Sequence, residues 1–123
     1  MSFEPNYVTN TADLRQIIIN EANKPIVVIF SAKWCAPCKK LKEYLFDKNG
    51  NGFCKEQEGK IKFVFVDIDL AEDMCEDVFN IRKLPTSIIY RVMPDKNNNP
   101  KLFRLHRTEP VDFQRLEQLV NSL

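Results

Sequence analysis

The sequence lacks any long apolar run, and neither sign of charge predominates. None of its apolar stretches approaches the roughly 20 residues that a membrane-spanning helix needs. Its 18 Lys and Arg residues nearly balance its 17 Asp and Glu residues, so no overall charge attracts the chain to nucleic acid or to an acidic membrane surface. We therefore expect neither nucleic acid nor a membrane among its partners.

The first residues also lack targeting features. Residues 1–6 contain neither the apolar core of a secretory signal nor the basic pattern of a transit peptide. The length of 123 residues suits one domain with its own core and is too short for two ordinary domains. We therefore expect a single domain over residues 1–123 that is monomeric and cytoplasmic.

Cysteine is the most informative residue type in this chain. Four cysteines without a secretory signal favour redox or metal chemistry over a structural disulfide framework. Cys35 and Cys38 lie where an apolar run, residues 26–30, gives way to helical spacing. The unpaired N–H groups and the dipole of a helix start favour negative charge, which lowers the pKa of a thiol at that position.

These two cysteines are predicted to be inequivalent. Cys38, Leu41 and Leu45 recur at helical spacing, so Cys38 should point to the core, whereas Cys35 lies one turn earlier, near the exposed tip. We expect Cys35 to act as a nucleophile from the surface. Cys38 would then resolve the mixed disulfide from beneath.

The first half of the chain is predicted to alternate between strands and helices. A short edge strand within residues 1–10, around Tyr7 and Val8, precedes a helix that is capped at residue 10 or 11. The apolar runs at residues 26–30 and 61–68 lack a polar alternation, as expected for buried strands. The helix that begins at the cysteines should end near residue 47, before a segment rich in Asn and Gly.

The second half begins with an acidic helix that starts near residues 69–72. Strands at residues 87–92 and 101–106 flank the turn-forming residues 93–100, and these strands should pair antiparallel. A last helix is expected to open at residues 108–110, because proline suits the first turn of a helix.

Two motifs make the chain similar to a known family. The stretch Trp-Cys-Ala-Pro-Cys occupies residues 34–38, and Leu-Pro-Thr occupies residues 84–86, directly before a predicted strand. With the first motif at a strand-helix junction, the two motifs resemble those of the thioredoxin superfamily. The resemblance implies a thioredoxin fold of the α/β class, in which about four helices flank a central mixed β-sheet of four to five strands. It also implies a cis peptide bond before Pro85.

The same resemblance implies an enzyme, a thioredoxin-like protein-disulfide reductase. Cys35 would attack a disulfide of a protein substrate, and Cys38 would displace the reduced substrate by closing an intramolecular disulfide. The resemblance implies no metal or other cofactor, and the expected electron donor is a flavoprotein of the thioredoxin-reductase type. The residues expected to contact substrate are Trp34, Ala36, Pro37, Leu84, Pro85 and Thr86.

The sequence departs from typical thioredoxins at the base of this expected site. Typical members have a buried aspartate five residues before the motif tryptophan, where this chain has Ile29. The lysine that accompanies the aspartate is replaced by Phe65. Without these groups the thiol proton of Cys38 must pass to water or to the departing thiolate. We therefore expect a more apolar dithiol environment and slower resolution at neutral pH.

Three alternatives to a reductase remain open at this point. The chain could be a thioredoxin-like binding module with weak turnover, because its proton-transfer groups are missing, or an oxidant or isomerase of an oxidising compartment. The cysteines could also form half of a zinc site, although Cys54, Cys75 and His106 show no second close pair.

Other residues have structural as well as functional interpretations. Cys54 and Cys75 have no motif around them and suit small apolar fillers or incidental thiols, and either could form a regulatory disulfide. The four lysines close to the motif suit a solvated helix face. Positive charge near Cys35 would also stabilise its thiolate and attract acidic partners.

Overall fold

Three of the four strands form where β-branched and aromatic residues are concentrated. Isoleucine, valine and phenylalanine fill the run after Pro25, and such side chains favour the extended backbone. The computed structural model describes residues 5–123. Its strands are β1 (Ile26–Ser31), β2 (Lys62–Asp67), β3 (Thr86–Pro94) and β4 (Pro100–Thr108).

The strands form one mixed sheet in the order β2-β1-β3-β4. β1 runs parallel to β2 and antiparallel to β3, and β3 pairs antiparallel with β4. Side chains of β1 alternate between two hydrophobic clusters, since Val27 and Ile29 face one cluster and Val28 and Phe30 face the other. The predicted buried strand is thus confirmed, because helices cover it on both faces.

The helices supply the outer layers of these two clusters. In the described part of the chain they are α1 (Thr11–Asn20), α2 (Ala36–Leu45), α3 (Phe53–Glu56) and α4 (Phe113–Asn121), together with one π-helical turn (Met74–Val78). α2, α3 and α4 pack on the face of Ile29. α1 and the π-helical turn pack on the face of Phe30. A mixed four-stranded sheet between helices confirms the predicted fold class.

Several element boundaries differ from those predicted. α2 ends at Leu45, and the acidic helix is reduced to the π-helical turn. The last helix begins at Phe113 because β4 continues to Thr108, and the side chain of Asp112 caps the helix by accepting from the N–H of Arg115 at 2.8 Å. The boundary predicted at residues 108–110 was therefore wrong.

The N-terminal prediction was correct only in part. Asn10 caps α1, where its side chain accepts from the N–H of Asp13 at 2.8 Å. In place of an edge strand at residues 7–8, Tyr7 forms a single parallel bridge with Phe65, and the N–H of Val8 donates to the carbonyl of Phe65 at 2.8 Å. None of the helices among residues 5–123 has the length and apolar character needed to cross a membrane.

Sheet pairing brings the two sequence motifs together. β1 leads directly into the cysteines, and β3 starts directly after Pro85. Because β1 and β3 are antiparallel, the end of β1 lies beside the beginning of β3, and Phe30 pairs with Thr86. The motifs at residues 34–38 and 84–86 therefore meet at the same edge of the sheet.

Candidate active site

The two cysteines form a disulfide at the start of α2. Cys35 is the capping residue of the helix, and its Sγ accepts a hydrogen bond from the N–H of Cys38 at 3.2 Å. The Cα atoms of the pair are 5.2 Å apart. Pro37 lies in the first turn of the helix, where its missing N–H costs nothing because no carbonyl awaits it. The predicted placement at a strand-helix junction is confirmed.

Both cysteines are buried, which corrects the predicted exposure of Cys35. Cys35 is 6% exposed and Cys38 is 5% exposed. The Sγ of Cys35 turns inward to Cys38, and Ile68 and Leu84 pack against the pair. The inequivalence of the two thiols therefore rests on their positions, with Cys35 capping α2 and Cys38 inside its first turn, and not on a large difference in exposure.

The residues around the disulfide divide into an exposed rim and a buried support. Trp34 is 66% exposed, and Ala36 and Pro37 are also exposed. Pro85 and Thr86 are fully buried, so their side chains are not part of the exposed rim. The peptide bond between Leu84 and Pro85 is cis, as predicted.

Leu84 provides the unpaired backbone of the site. Its side chain is half-buried against the cysteines. Among residues 5–123, neither its N–H nor its carbonyl takes part in a hydrogen bond. Both groups are available to an extended peptide, which can pair with them as an added strand would.

Asp69 is a site residue that the sequence patterns did not single out. The indole Nε1–H of Trp34 donates to Oδ2 of Asp69 at 3.0 Å. Asp69 follows β2, whose end lies beside the end of β1, where Ser31 pairs with Asp67. A carboxylate just after the parallel neighbour of β1 was the signal that could have identified it. The bond restrains an otherwise exposed aromatic side chain.

An apolar pair occupies the floor of the site. Ile29 and Phe65 are direct neighbours across β1 and β2, and they are 2% and 7% exposed. They line a cavity of about 320 Å³ that reaches Cys38. Its lining also includes Tyr7 and the charged residues Lys33, Lys39, Lys42 and Glu43. The strand residues of this cavity next to Cys38 are thus apolar.

The other two cysteines are poor nucleophiles in the fold. Burial raises the pKa of Cys54 to about 12. Burial, together with the charges of Asp67 and Glu76, raises the pKa of Cys75 to about 11. Cys54 packs on the face of the sheet that carries Ile29, and Cys75 on the opposite face, so the sheet separates them.

The zinc alternative finds no support in the described residues. Within residues 5–123, no three His, Cys, Asp or Glu side chains are grouped so that they could hold a metal ion. His106 is an exposed residue of β4, opposite Ile89. Thiol-disulfide chemistry therefore explains the cysteine pair better than a zinc site does.

Comparison with known proteins agrees with this geometry. The family model described as thioredoxin matches residues 6–102. Thioredoxin C-2 of Corynebacterium nephridii is 34% identical over 85 residues, which are 68% of this chain and 73% of that protein. Thioredoxin of Gallus gallus is 31% identical over 116 residues, which are 94% of this chain and 95% of that protein.

Solved structures extend the likeness to the C-terminal part of the fold. The crystal structure of Plasmodium falciparum thioredoxin is 27% identical and superposes with a TM-score of 0.72, covering 94% of this chain and 84% of that one. The matched range, the identities and the disulfide at the start of α2 lead to one assignment. This chain belongs to the thioredoxin family.

Proposed function

We propose that the protein is a thiol-disulfide oxidoreductase that reduces disulfides of other proteins. The observation that carries the proposal is the Cys35–Cys38 disulfide at the start of α2, beside an exposed Trp34 and the unpaired backbone of Leu84. The family membership supports the same reaction.

The reaction begins with the reduced dithiol. The thiolate of Cys35 is stabilised by the N–H of Cys38 and by the start of α2. It attacks one sulfur of the substrate disulfide, so that a mixed disulfide forms and a substrate thiolate leaves. Cys38 then loses its proton and attacks the Sγ of Cys35, which releases the second substrate thiolate. Two electrons pass to the substrate, and the internal disulfide remains.

The substrate is proposed to bind as an extended segment across the site. Its backbone would pair with the N–H and carbonyl of Leu84, and its side chains would contact the rim formed by Trp34, Ala36 and Pro37. Pro85 and Thr86 would support this surface from below. Main-chain pairing tolerates many sequences, so it suits an enzyme with several protein substrates.

The electron donor is inferred from the family. We propose a flavoprotein of the thioredoxin-reductase type as donor and the reducing cytoplasm as location, with the protein acting as a monomer. A reduction potential in the range of the cytosolic thiol pool, about −220 to −320 mV, would agree with this assignment. A potential near −120 mV, as in strong oxidants, would instead support the oxidant or isomerase.

Insulin reduction with dithiothreitol as reductant tests the activity. We expect turnover by the wild type and none by Cys35→Ser. Cys38→Ser should accumulate covalent mixed disulfides with protein substrates, because resolution is blocked. If the wild type fails to reduce insulin, the proposal is wrong.

A binding module remains the second candidate because of one observation. Ile29 and Phe65 place apolar side chains in the cavity that reaches Cys38, so turnover could be weak while the surface around Trp34 still binds partners. A Cys35→Ser/Cys38→Ser double variant that retains undiminished partner binding would favour the module. Loss of partner capture by the double variant would favour the enzyme.

A further inference from the structure

The segment that leads to Pro85 is held by a side chain from a distant strand. Residues 79–83 belong to no helix or strand. The guanidinium of Arg107, at the end of β4, donates from Nη1 to the carbonyl of Phe79 at 2.6 Å and from Nη2 to the carbonyl of Asn80 at 3.0 Å. Two carbonyls of an irregular segment thereby receive charge-assisted hydrogen bonds.

Glu109 holds the next two residues of the same segment. Its Oε2 accepts from the N–H of Arg82 at 2.8 Å and from the N–H of Lys83 at 3.2 Å. The hydroxyl of Thr86 lies 3.3 Å from the same oxygen and donates to the carbonyl of Lys83 at 2.6 Å. One carboxylate oxygen thus accepts hydrogen bonds from the two backbone N–H groups that directly precede Leu84.

Arg107 and Glu109, which we call the clasp, also form an ion pair. Their charged groups are 3.5 Å apart, and their side chains are only 25% and 20% exposed. Burial raises the pKa of Glu109, but the N–H groups of Arg82 and Lys83, with the charge of Arg107 and the Thr86 hydroxyl, lower it more. The pKa lies below its ordinary value, so the carboxylate is ionised at neutral pH.

The clasp is anchored at the end of the sheet, since Arg107 belongs to β4 and Glu109 follows the last residue of that strand, Thr108. Arg107 lies opposite Ile88 in the pairing of β3 with β4. Beyond the clasp, the N–H of Val111 donates to the carbonyl of Pro85 at 2.8 Å. Residues on both sides of Leu84 are therefore tied to Arg107 of β4 and to the residues that directly follow this strand. A rigid support of this kind reduces the ordering cost of binding.

We propose that Arg107 and Glu109 are positioning residues that hold Leu84 in place for docking of an extended protein substrate. The inference rests on the proposed function and adds a distinction to it. Neither side chain bonds to Cys35 or Cys38, so the clasp acts on substrate binding and leaves the thiol exchange itself unchanged. A small disulfide substrate that needs no backbone pairing therefore reacts at the same rate with or without the clasp.

Paired substrates test this proposal. Glu109→Ala should raise KM for insulin about threefold to tenfold, while kcat stays within about twofold of wild type. The rate of the reduced variant with 5,5′-dithiobis(2-nitrobenzoate) should also stay within about twofold. Glu109→Gln keeps an acceptor oxygen, so its KM for insulin should lie between those of the wild type and Glu109→Ala. The matched control is Glu117→Ala, which removes an exposed carboxylate of α4 and should leave both substrates unaffected.

Two results would overturn the inference: an unchanged KM for insulin, or an equal loss with both disulfides, which would indicate general damage to the site. A wild type that cannot reduce insulin would overturn the proposed function and this inference together. If Glu109→Ala does not fold, hydrogen exchange of the wild type decides. The amides of Arg82 and Lys83 should exchange more slowly than that of Leu84, and equally fast exchange at all three would refute the clasp.

Discussion

Ile29 shows how a single residue departs from its family without disturbing the fold. It lies between two cross-strand neighbours, Phe65 on β2 and Ser87 on β3. Ser87 is 1% exposed, and its hydroxyl has no hydrogen-bond partner among residues 5–123. A buried hydroxyl without a partner is costly, and directly opposite partners have Cβ atoms about 4.5 to 5.5 Å apart. A polar group at position 29 could therefore satisfy it.

We predict that Ile29→Asp increases insulin reduction near pH 7 by up to about tenfold, because a carboxylate at this cavity can accept the proton of Cys38. Ser87 could donate a hydrogen bond to the new side chain, while the buried carboxylate should lower the melting temperature. Steady-state rates from pH 6 to 9 check the prediction. Ile29→Asn is the matched control without a base, and an unchanged or slower rate for the aspartate variant would count against a missing proton acceptor.

The four cysteines should differ in reactivity after reduction. Burial raises the pKa of Cys54 to about 12 and that of Cys75 to about 11, so less than about 1% of either thiol is ionised at pH 8. We predict that iodoacetamide modifies Cys35 at least about tenfold faster than Cys54 or Cys75 in the folded protein. Peptide mass mapping at successive times measures this order. Equal rates in native protein would contradict it, and equal rates in 6 M urea are the control.

At the scale of elements, loops and helix ends decide the site. Cys35 caps the first turn of α2. The segment before β3 is held by the side chains of Arg107 and Glu109, which lie at and just after the end of β4. Hydrogen bonds that join segments distant in the sequence hold the residues around Leu84. Their strength depends on the charge of Glu109, which links the geometry of this element to pH.

Glu109 should make the stability of the fold sensitive to acid. Its pKa in the folded protein lies below the ordinary value of 4.5, so its contribution is fully present above that pH and is lost as the pH falls through the lower, folded value. We predict that Glu109→Gln destabilises the protein at pH 7 and that its difference from wild type shrinks toward pH 3. Urea unfolding across this range measures it. Glu117→Gln is the matched control, and a difference that does not shrink would contradict the ionised clasp.

At the scale of the whole molecule, α4 completes the hydrophobic core, although this helix lies beyond the residues that the family model matches. The model ends at residue 102, yet Leu116 is 0% exposed and packs in the same cluster as Val27 of the central strand. An element at the end of the chain therefore contributes to the layer that supports α2. This arrangement agrees with the proposal that residues 1–123 are one domain.

We predict that Leu116→Ala lowers the free energy of unfolding by about 3 kcal/mol, as expected when a fully buried leucine is truncated. Unfolding should remain one transition, with the same midpoint by far-UV circular dichroism and by fluorescence of Trp34. Leu123→Ala is the matched control at an exposed position and should change stability little. Two separate midpoints for the wild type would show that the chain does not unfold as one domain.

Local patterns in the sequence were sufficient for the four strands of the sheet, for α1, α2 and α4, and for the dithiol. Apolar runs identified β1 and β2, because strands buried on both faces need continuous apolar side chains. Helical spacing after Cys35 identified α2, and the motif with Pro85 identified the family. Boundaries were less predictable, since α4 begins where Asp112 caps it and β4 runs on to Thr108.

The sequence by itself determined the reactive residues and the class of fold, since both depend on patterns within a few residues of each other. Only the tertiary structure decided which distant side chains meet: Asp69 with Trp34, Ser87 with Ile29, and Glu109 with the segment before Leu84. It also decided that Cys35 is buried. The reason is physical, because sheet pairing and chain packing bring together residues whose separation in sequence carries no local signal.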